Sequence, residues 1–171
     1  AAGVAVTTPV GVTASFADVD NDGDADLYVT NVRSANVLFV NDGKGHFQDV
    51  TETSGLGYDG HSSGAVFFDY DRDGRLDLFL CVVGVYTTDE LRTVANDATT
   101  TGYEAGEFLF YSAVKGAFGG HLQPERLRHS RLYRNLGDLR FEDVTEASGL
   151  LDDGFSGDAA PVDVNGDGWL D

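Results

Sequence analysis

The chain has 171 residues, enough for one ordinary domain, and 42% of them are hydrophobic, so a folded protein is expected rather than a disordered one. Its 29 acidic and 11 basic residues give a formal net charge of −18, which argues against nucleic acids and anionic membranes as partners. No apolar run approaches the roughly 20 residues of a membrane-spanning helix, so no membrane insertion is expected. The lone Cys81 lies among aliphatic residues and is interpreted as a small buried hydrophobe.

The first part of the chain predicts a unit of four short antiparallel strands over residues 12–51. The predicted strands are short runs rich in β-branched, aromatic and aliphatic residues, and residues 41–45 (Asn-Asp-Gly-Lys-Gly) form a strong hairpin turn between the last two. They cover residues 12–17, 27–30, 37–40 and 47–51. Such a unit has the size of one blade of a β-propeller.

An acidic loop of nine residues joins the first two predicted strands and returns twice along the chain. It covers residues 18–26 (loop 1), 69–77 (loop 2) and 163–171 (loop 3), with side-chain oxygens at loop positions 1, 3, 5 and 9 and Gly at position 6. Alternate oxygen ligands around a sharp turn are typical of a site for a hard cation. The candidate metal ligands are Asp18, Asp20, Asp22, Asp24, Asp26, Asp69, Asp71, Asp73, Arg75, Asp77, Asp163, Asn165, Asp167, Trp169 and Asp171.

The pattern favours Ca²⁺, at about three sites, because all the ligands are oxygens on a flexible loop, whereas Mg²⁺ demands tighter geometry. Position 7 carries three unrelated side chains, Asp24, Arg75 and Trp169, so we expect it to contribute its backbone carbonyl. An EF-hand would need Glu at position 12, where Val29 and Leu80 lie inside predicted strands. Position 9 is therefore expected to complete the coordination. The alternative is a set of ordinary Asp- and Gly-rich turns.

An internal repeat relates the two halves of the chain. A shift of 94 residues aligns residues 38–77 with 132–171 without a gap, and about half of the overlaid positions are identical. The overlay predicts a second blade over residues 64–145, with an insertion at about 84–128, and the start of a third blade at 157–171. Residues 52–63 are interpreted as a connection.

The insertion differs in character from the predicted blades. Residues 89–98 are compatible with a short helix or a loop, residues 108–112 are apolar and aromatic, and residues 119–125 are rich in turn formers. Insertions on one face of a repeat protein often bind partners. The alternative is a packed excursion that covers an exposed sheet edge.

The sequence of residues 16–27 (Phe-Ala-Asp-Val-Asp-Asn-Asp-Gly-Asp-Ala-Asp-Leu) resembles an FG-GAP/VCBS repeat, the unit of integrin-alpha-type β-propellers. Residues 132–135 (Leu-Tyr-Arg-Asn), 141–145 (Phe-Glu-Asp-Val-Thr), 148–150 (Ser-Gly-Leu) and 119–126 are similar to the cartilage-acidic-protein-like branch. The resemblance implies an all-β fold, a partial β-propeller of four-stranded antiparallel blades with calcium-binding inter-strand loops. It also implies an extracellular or periplasmic location and a role in adhesion or complex assembly. Propellers have at least four blades, so the chain is expected to be a piece of a longer one.

No constellation of residues predicts catalysis. His46, His61, His121 and His129 show no metal-ligand spacing, and the neighbours Ser62, Ser63 and Ser130 are interpreted as ordinary turn residues. We therefore expect a non-catalytic calcium-binding module for protein–protein interaction, part of a larger extracytoplasmic protein. The alternatives are a structural subunit of a larger assembly and an ancillary domain of a polysaccharide-active enzyme, for which carbohydrate would be the ligand.

Overall fold

The structure is a computed structural model that describes residues 2–5, 10–84, 102–105, 108–111, 128–151 and 156–170, with residues 102–105 and 108–111 described by their backbone alone. Strands dominate these segments, and the only helices among them are two single turns. The prediction of an all-β fold is confirmed. The strands are β1 Val10–Ala17, β2 Asp26–Ala35, β3 Val37–Asn41, β4 Phe47–Asp49, β5 Asp59–Phe68, β6 Asp77–Val82, β7 Gly102–Ala105, β8 Phe108–Tyr111, β9 Arg131–Asn135 and β10 Phe141–Asp143.

Two antiparallel groups of four strands follow one another along the chain. Unit 1 contains β1, β2, β3 and β4 in spatial order, and unit 2 contains β5, β6, β9 and β10. The two units are joined into one curled eight-stranded sheet by pairing between the end of β2 and the start of β5. This pairing involves three residue pairs, with Val32 opposite His61. The arrangement is that of a partial β-propeller.

The hydrophobic core lies between the two units. Residues directly opposite each other in neighbouring strands share one face of a sheet. In unit 2, Phe67 lies opposite Leu78, which lies opposite Tyr133. Leu78 and Tyr133 belong to the buried core cluster, and Phe67 packs against it. Unit 1 contributes Tyr28 and Leu38 from its facing side. Each unit therefore depends on its neighbour to cover its apolar side chains.

The opposite face of unit 1 repeats the row that unit 2 buries. Phe16 lies opposite Leu27, which lies opposite Phe39, and these positions correspond to Phe67, Leu78 and Tyr133 by shifts of 51, 51 and 94 residues. In unit 1 this row is partly uncovered, and Phe16 is 65% exposed. The same sequence pattern is thus more exposed in unit 1 at Phe16, whereas Phe39 at the other end of the row is buried.

A one-turn helix follows the last strand of each unit. The two helices are α1 Thr51–Ser54 and α2 Thr145–Ser148, and each ends at a glycine in the left-handed conformation, Gly55 or Gly149. The prediction that a strand continues to Thr51 was wrong, because β4 ends at Asp49 and the Thr51 hydroxyl accepts a hydrogen bond from the Leu38 amide instead. Residues 59–63, predicted as connection, belong to β5.

The predicted insertion contains a β-hairpin, in which β7 pairs with β8 in antiparallel register. The apolar run at 108–112 thus contributes the strand Phe108–Tyr111. Residues 89–98 and 119–125 lie outside the described residues, as do most of the others between 85 and 127. The binding and edge-covering interpretations of this segment both stay predictions.

Candidate metal centre

Loops 1 and 2 lie at the same place in their units. Loop 1 joins β1 to β2 and loop 2 joins β5 to β6, while loop 3 lies in the segment 156–170. Asp171, the predicted last ligand of loop 3, lies outside the described residues. The first two loops are therefore hairpin connections between paired strands, as the sequence predicted.

A common hydrogen-bond frame shapes the three loops. In loop 1 the Asp18 carboxylate accepts one hydrogen bond from the amide of Asp22 and one from the amide of Gly23, both at 3.0 Å. Asp22 in turn accepts a bond from the amide of Asp24 at 2.9 Å. The same bonds recur with Asp69, Asp73, Gly74 and Arg75 in loop 2 and with Asp163, Asp167, Gly168 and Trp169 in loop 3. Positions 1 and 5 build the part of the frame that all three loops share, and in loops 1 and 3 the position 3 side chain also accepts a bond from the amide of position 5.

Position 6 needs a residue that tolerates the left-handed conformation. Gly23, Gly74 and Gly168 have φ angles of 94°, 86° and 90°, which side chains with a Cβ rarely adopt. A residue with a Cβ at this point would therefore be strained.

Two groups of carboxylates lie close enough to share a cation. Oxygen atoms of Asp18, Asp20 and Asp22 lie within 4.8 Å of one another, and so do those of Asp69, Asp71 and Asp77. Carboxylates at this separation repel one another, and a divalent cation between them would reverse that repulsion. The two clusters could therefore hold a metal ion, and their all-oxygen donor sets fit a hard cation. Loop 3 shows no such trio among its described residues, which stop one residue short of Asp171.

The carboxylate at position 9 connects its loop to the rest of the unit. Asp77 accepts hydrogen bonds from the amide of Tyr70 at 3.0 Å and from the amide of Asn135 at 2.7 Å. Asp26 makes the corresponding bonds to Val19 and Asn41, both at 2.9 Å. Asn41 and Asn135 occupy the same position of the repeat, so both loops are attached to a neighbouring strand in the same way.

Burial has the largest effect on the pKa of the carboxylates at position 9. Asp26 and Asp77 are both buried, and loss of solvation raises the pKa of Asp77 to about 6 against the partly compensating backbone hydrogen bonds. The pKa of Asp26 is raised for the same reason. In the exposed loop 3, by contrast, backbone hydrogen bonds, first that of Gly168, lower the pKa of Asp163. A cation beside Asp77 would favour its charged form.

The side chains at position 7 have separate roles in the three loops. Arg75 forms an ion pair with Asp73 and donates a hydrogen bond from Nε to the carbonyl of Asn135 at 2.9 Å. Trp169 lies under the guanidinium of Arg72, at 4.6 Å from carbon Cζ to the ring centroid. Asp24 lies beside Gly43 of the β3–β4 turn. The three side chains thus make three different kinds of contact. A ligand role for the backbone carbonyl of position 7 stays a prediction.

The side chain at position 4, for which the sequence predicted no role, contacts the following loop in loops 1 and 2. Asn21 and Arg72 have φ angles of 61° and 67°, in the left-handed region. Asn21 donates a hydrogen bond to the carbonyl of Gly74 in loop 2 at 3.1 Å. Arg72 lies 3.9 Å from the carboxylate of Asp167 in loop 3. The one signal in the sequence is an Asn at a position that favours the left-handed conformation.

The serines interpreted as turn residues make structural contacts, and Ser62 and Ser63 lie in β5 rather than in a turn. Ser62 accepts a hydrogen bond from the Asn36 side chain at 2.9 Å, and Ser130 accepts one from the amide of Val82 at 3.3 Å. Ser63 donates to the carbonyl of Ser156 at 2.7 Å.

A shallow open depression on unit 2 carries side chains of both charges and was not predicted. It is lined by His129, Arg131, Asp143, Thr145, Glu146 and Leu151.

A comparison with known families matches residues 18–80 to the FG-GAP-like repeat. The chain contains an FG-GAP-like repeat. The match begins at the first candidate ligand of loop 1 and ends in β6, so it spans both hairpin loops and the pairing of β2 with β5 that joins the two units. It confirms the predicted FG-GAP family, whereas the narrower cartilage-acidic-protein-like branch stays a prediction. A search of curated proteins finds no significant match to the chain.

FG-GAP repeats are typically non-catalytic modules, which suggests a role in interaction for this chain. Within the described part of the chain, no helix has both the length and the apolar character needed to cross a membrane.

Proposed function

We propose that the chain is a calcium-binding module for interaction with a protein partner, and that its acidic loops are the calcium sites. The observation that carries this proposal is the pair of carboxylate trios, whose oxygens lie within 4.8 Å of one another in loops 1 and 2. Repulsion within each trio opposes this arrangement, and a bound divalent cation would offset it. Calcium fits best because it accepts several carboxylate and carbonyl oxygens in flexible geometry.

The role of the metal in this proposal is structural. The residues that would hold it are Asp18, Asp20 and Asp22 in loop 1 and Asp69, Asp71 and Asp77 in loop 2. Asp77 also accepts hydrogen bonds from the loop and from β9, so an ion held there would fix the end of the hairpin relative to the neighbouring strand. We expect loop 3 to bind a third ion through Asp163, Asn165, Asp167 and Asp171.

Thermal unfolding in the presence and absence of calcium tests the proposal. A ligand that binds only the folded state stabilises it by mass action, so a chelator should lower the Tm and added calcium should restore it. Asp71→Asn should reduce the calcium response because it removes one carboxylate of the loop 2 trio. Glu52→Gln is the matched control, since it removes one exposed negative charge outside the loops. A Tm that ignores both chelator and calcium, with no calcium found by elemental analysis, would overturn the proposal.

The fluorescence of a tryptophan in loop 3 can report calcium binding to that loop. Trp169 is the only tryptophan of the chain and lies at position 7 of this loop. Ordering of the loop by calcium should change the contact between Trp169 and Arg72 and therefore the tryptophan emission. Emission that stays constant while the other two loops fill would assign calcium to loops 1 and 2 alone.

An extracellular or periplasmic location is part of the same proposal. Loops open to solvent are expected to bind calcium weakly, in about the 10⁻⁴–10⁻³ M range of extracellular modules. Calorimetric titration measures this affinity directly. Submicromolar binding would contradict the expected weak affinity, which is the argument for this location. Titration with oligosaccharides, followed by amide chemical shifts, tests the carbohydrate alternative.

A further inference from the structure

A buried chain of hydrogen bonds connects the closing carboxylates of loops 1 and 2. Asp26 accepts a bond from the amide of Val19 at 2.9 Å, and the carbonyl of Val19 accepts a bond from Nδ2 of Asn135 at 2.8 Å. The amide of Asn135 donates to Asp77 at 2.7 Å. All four residues are buried. Buried polar groups that lose such partners are costly, so the positions of the two carboxylates are linked.

Asn135 is the member of this chain that joins the two units. Its side-chain amide also donates to the carbonyl of Leu76 in loop 2 at 3.0 Å, so one Nδ2 group binds both loops. The repeat-equivalent Asn41 donates at 3.2 Å to Ala25, within its own loop. Asn41 is partly exposed, whereas Asn135 is fully buried. The chain therefore offers an internal comparison between a residue that bridges two loops and one that supports a single loop.

A second link between the loops lies at the surface. Asn21 of loop 1 donates to the carbonyl of Gly74, the position 6 residue of loop 2. The carboxylate of Asp69 accepts from the amide of the same Gly74 at 2.9 Å. The two loops thus share contacts at their closing carboxylates and again at their turn.

We propose that loops 1 and 2 bind calcium cooperatively and that Asn135 is the positioning residue that couples them. This inference rests on the proposed function, since it concerns the same two sites. An ion in loop 2 holds Asp77 and, through its bond to the Asn135 amide, fixes the side chain that supports Val19. Val19 then presents its amide to Asp26, so loop 1 is already ordered when its own ion arrives. Coupling of this kind is reciprocal, and each ion raises the affinity for the other by the same factor.

The test follows each loop separately by NMR. The amides of Gly23 and Gly74, at position 6 of loops 1 and 2, report the filling of their own loop during a calcium titration. In the unmodified chain, loop 1 should half-saturate at a calcium concentration at least about fivefold lower than in Asp71→Asn, whose loop 2 is impaired. The reciprocal variant Asp20→Asn should weaken loop 2 by a similar factor.

The role of Asn135 is tested by repeating the comparison in two further backgrounds. In Asn135→Ala the effect of Asp71→Asn on loop 1 should fall close to a factor of one. Asn41→Ala should weaken loop 1 itself while the effect of Asp71→Asn persists. If Asn135→Ala does not fold, Asn135→Leu takes its place, because it keeps about the same size and the backbone amide but has no side-chain donor for Val19.

The outcomes separate this inference from the proposed function. No calcium-dependent shift at either glycine would overturn the proposed function itself. Shifts at both glycines, with a loop 1 midpoint that Asp71→Asn leaves unchanged, would overturn the coupling alone. An effect of Asp71→Asn that persists in the Asn135 variant would overturn the role of Asn135.

Discussion

Leu56 and Leu150 occupy the same position of the repeat, 94 residues apart, and differ in their environment. Leu56 follows α1, is fully buried, and belongs to the core between the two units. Leu150 follows α2 and is 47% exposed. The hydroxyl of Tyr28 donates to the carbonyl of Leu56 at 2.8 Å, which fixes the segment after α1 against unit 1. The local sequence, Ser-Gly-Leu, is the same at both places, so contact with the neighbouring unit decides the burial.

This difference predicts unequal effects of the same substitution. Leu56→Ala should lower the free energy of unfolding by about 2–5 kcal/mol, because it removes buried methyl groups and leaves a cavity. Leu150→Ala should change it by less than about 0.5 kcal/mol, because the side chain is already half in water. Urea denaturation measures both values, and equal losses would contradict the placement of the core.

The hydroxyl of Thr145 supports a second prediction. It accepts a hydrogen bond from the amide of Leu132 at 3.0 Å, and both residues are buried. Thr145→Val keeps the shape of the side chain and leaves that amide unsatisfied, which should cost about 1–3 kcal/mol. Thr53→Val, on the exposed side of α1, is the control and should be nearly neutral. Denaturation midpoints compare the two, and the idea fails if Thr53→Val is the more damaging.

Backbone conformation at position 6 can be separated from packing. A Cβ added at Gly74 or at Gly157 meets no atom within 4 Å, and only Gly74 has a positive φ angle, 86°. Gly74→Ala should therefore destabilise the protein by about 1–2 kcal/mol through backbone strain alone. Gly157→Ala should be neutral or slightly stabilising, because it restricts the unfolded chain. Melting curves in calcium-free buffer decide the matter, and a neutral Gly74→Ala would rule out the strained turn.

The β3–β4 turn provides a prediction about pH. Asp42 accepts hydrogen bonds from the amides of His46 and Lys44, and the first of these is the main reason that its pKa lies below the ordinary value. A carboxylate with a lowered pKa in the folded state stabilises the fold above its unfolded pKa, about 3.9. This contribution is lost as the pH falls through the lower folded value. NMR titration of the Asp42 carboxyl carbon measures the pKa, and a midpoint above 3.9 would contradict these bonds.

Most strands and all three loops could be predicted from the sequence, because alternating apolar residues and Asp-Gly turns are local signals. The helices α1 and α2 could not, because four residues are too few for a helical period to show. Their position depends on the hydroxyls of Thr51 and Thr145, which bind strands 13 residues earlier in the chain.

The hydrogen bonds from the neighbouring strand to the position 9 carboxylates could not be predicted either, because the residues that donate them are distant in the sequence. Asn41 lies 15 residues from Asp26, and Asn135 lies 58 residues from Asp77. The signal that could have found them is the repeat overlay, in which Asn41 falls on Asn135. An identical polar residue at the end of two equivalent strands indicates a shared buried hydrogen bond.

The location of the core between units changes what a duplication of this sequence would achieve. A single copy of the four-stranded motif encloses little, since its apolar rows need a neighbour, whereas each added copy creates one complete new junction. Stability should therefore rise stepwise with the number of copies, as in a one-dimensional array with nearest-neighbour energies. In such an array the stable unit is the contact between two copies rather than one copy by itself. The FG-GAP match, which runs from loop 1 across the junction into β6, is consistent with this.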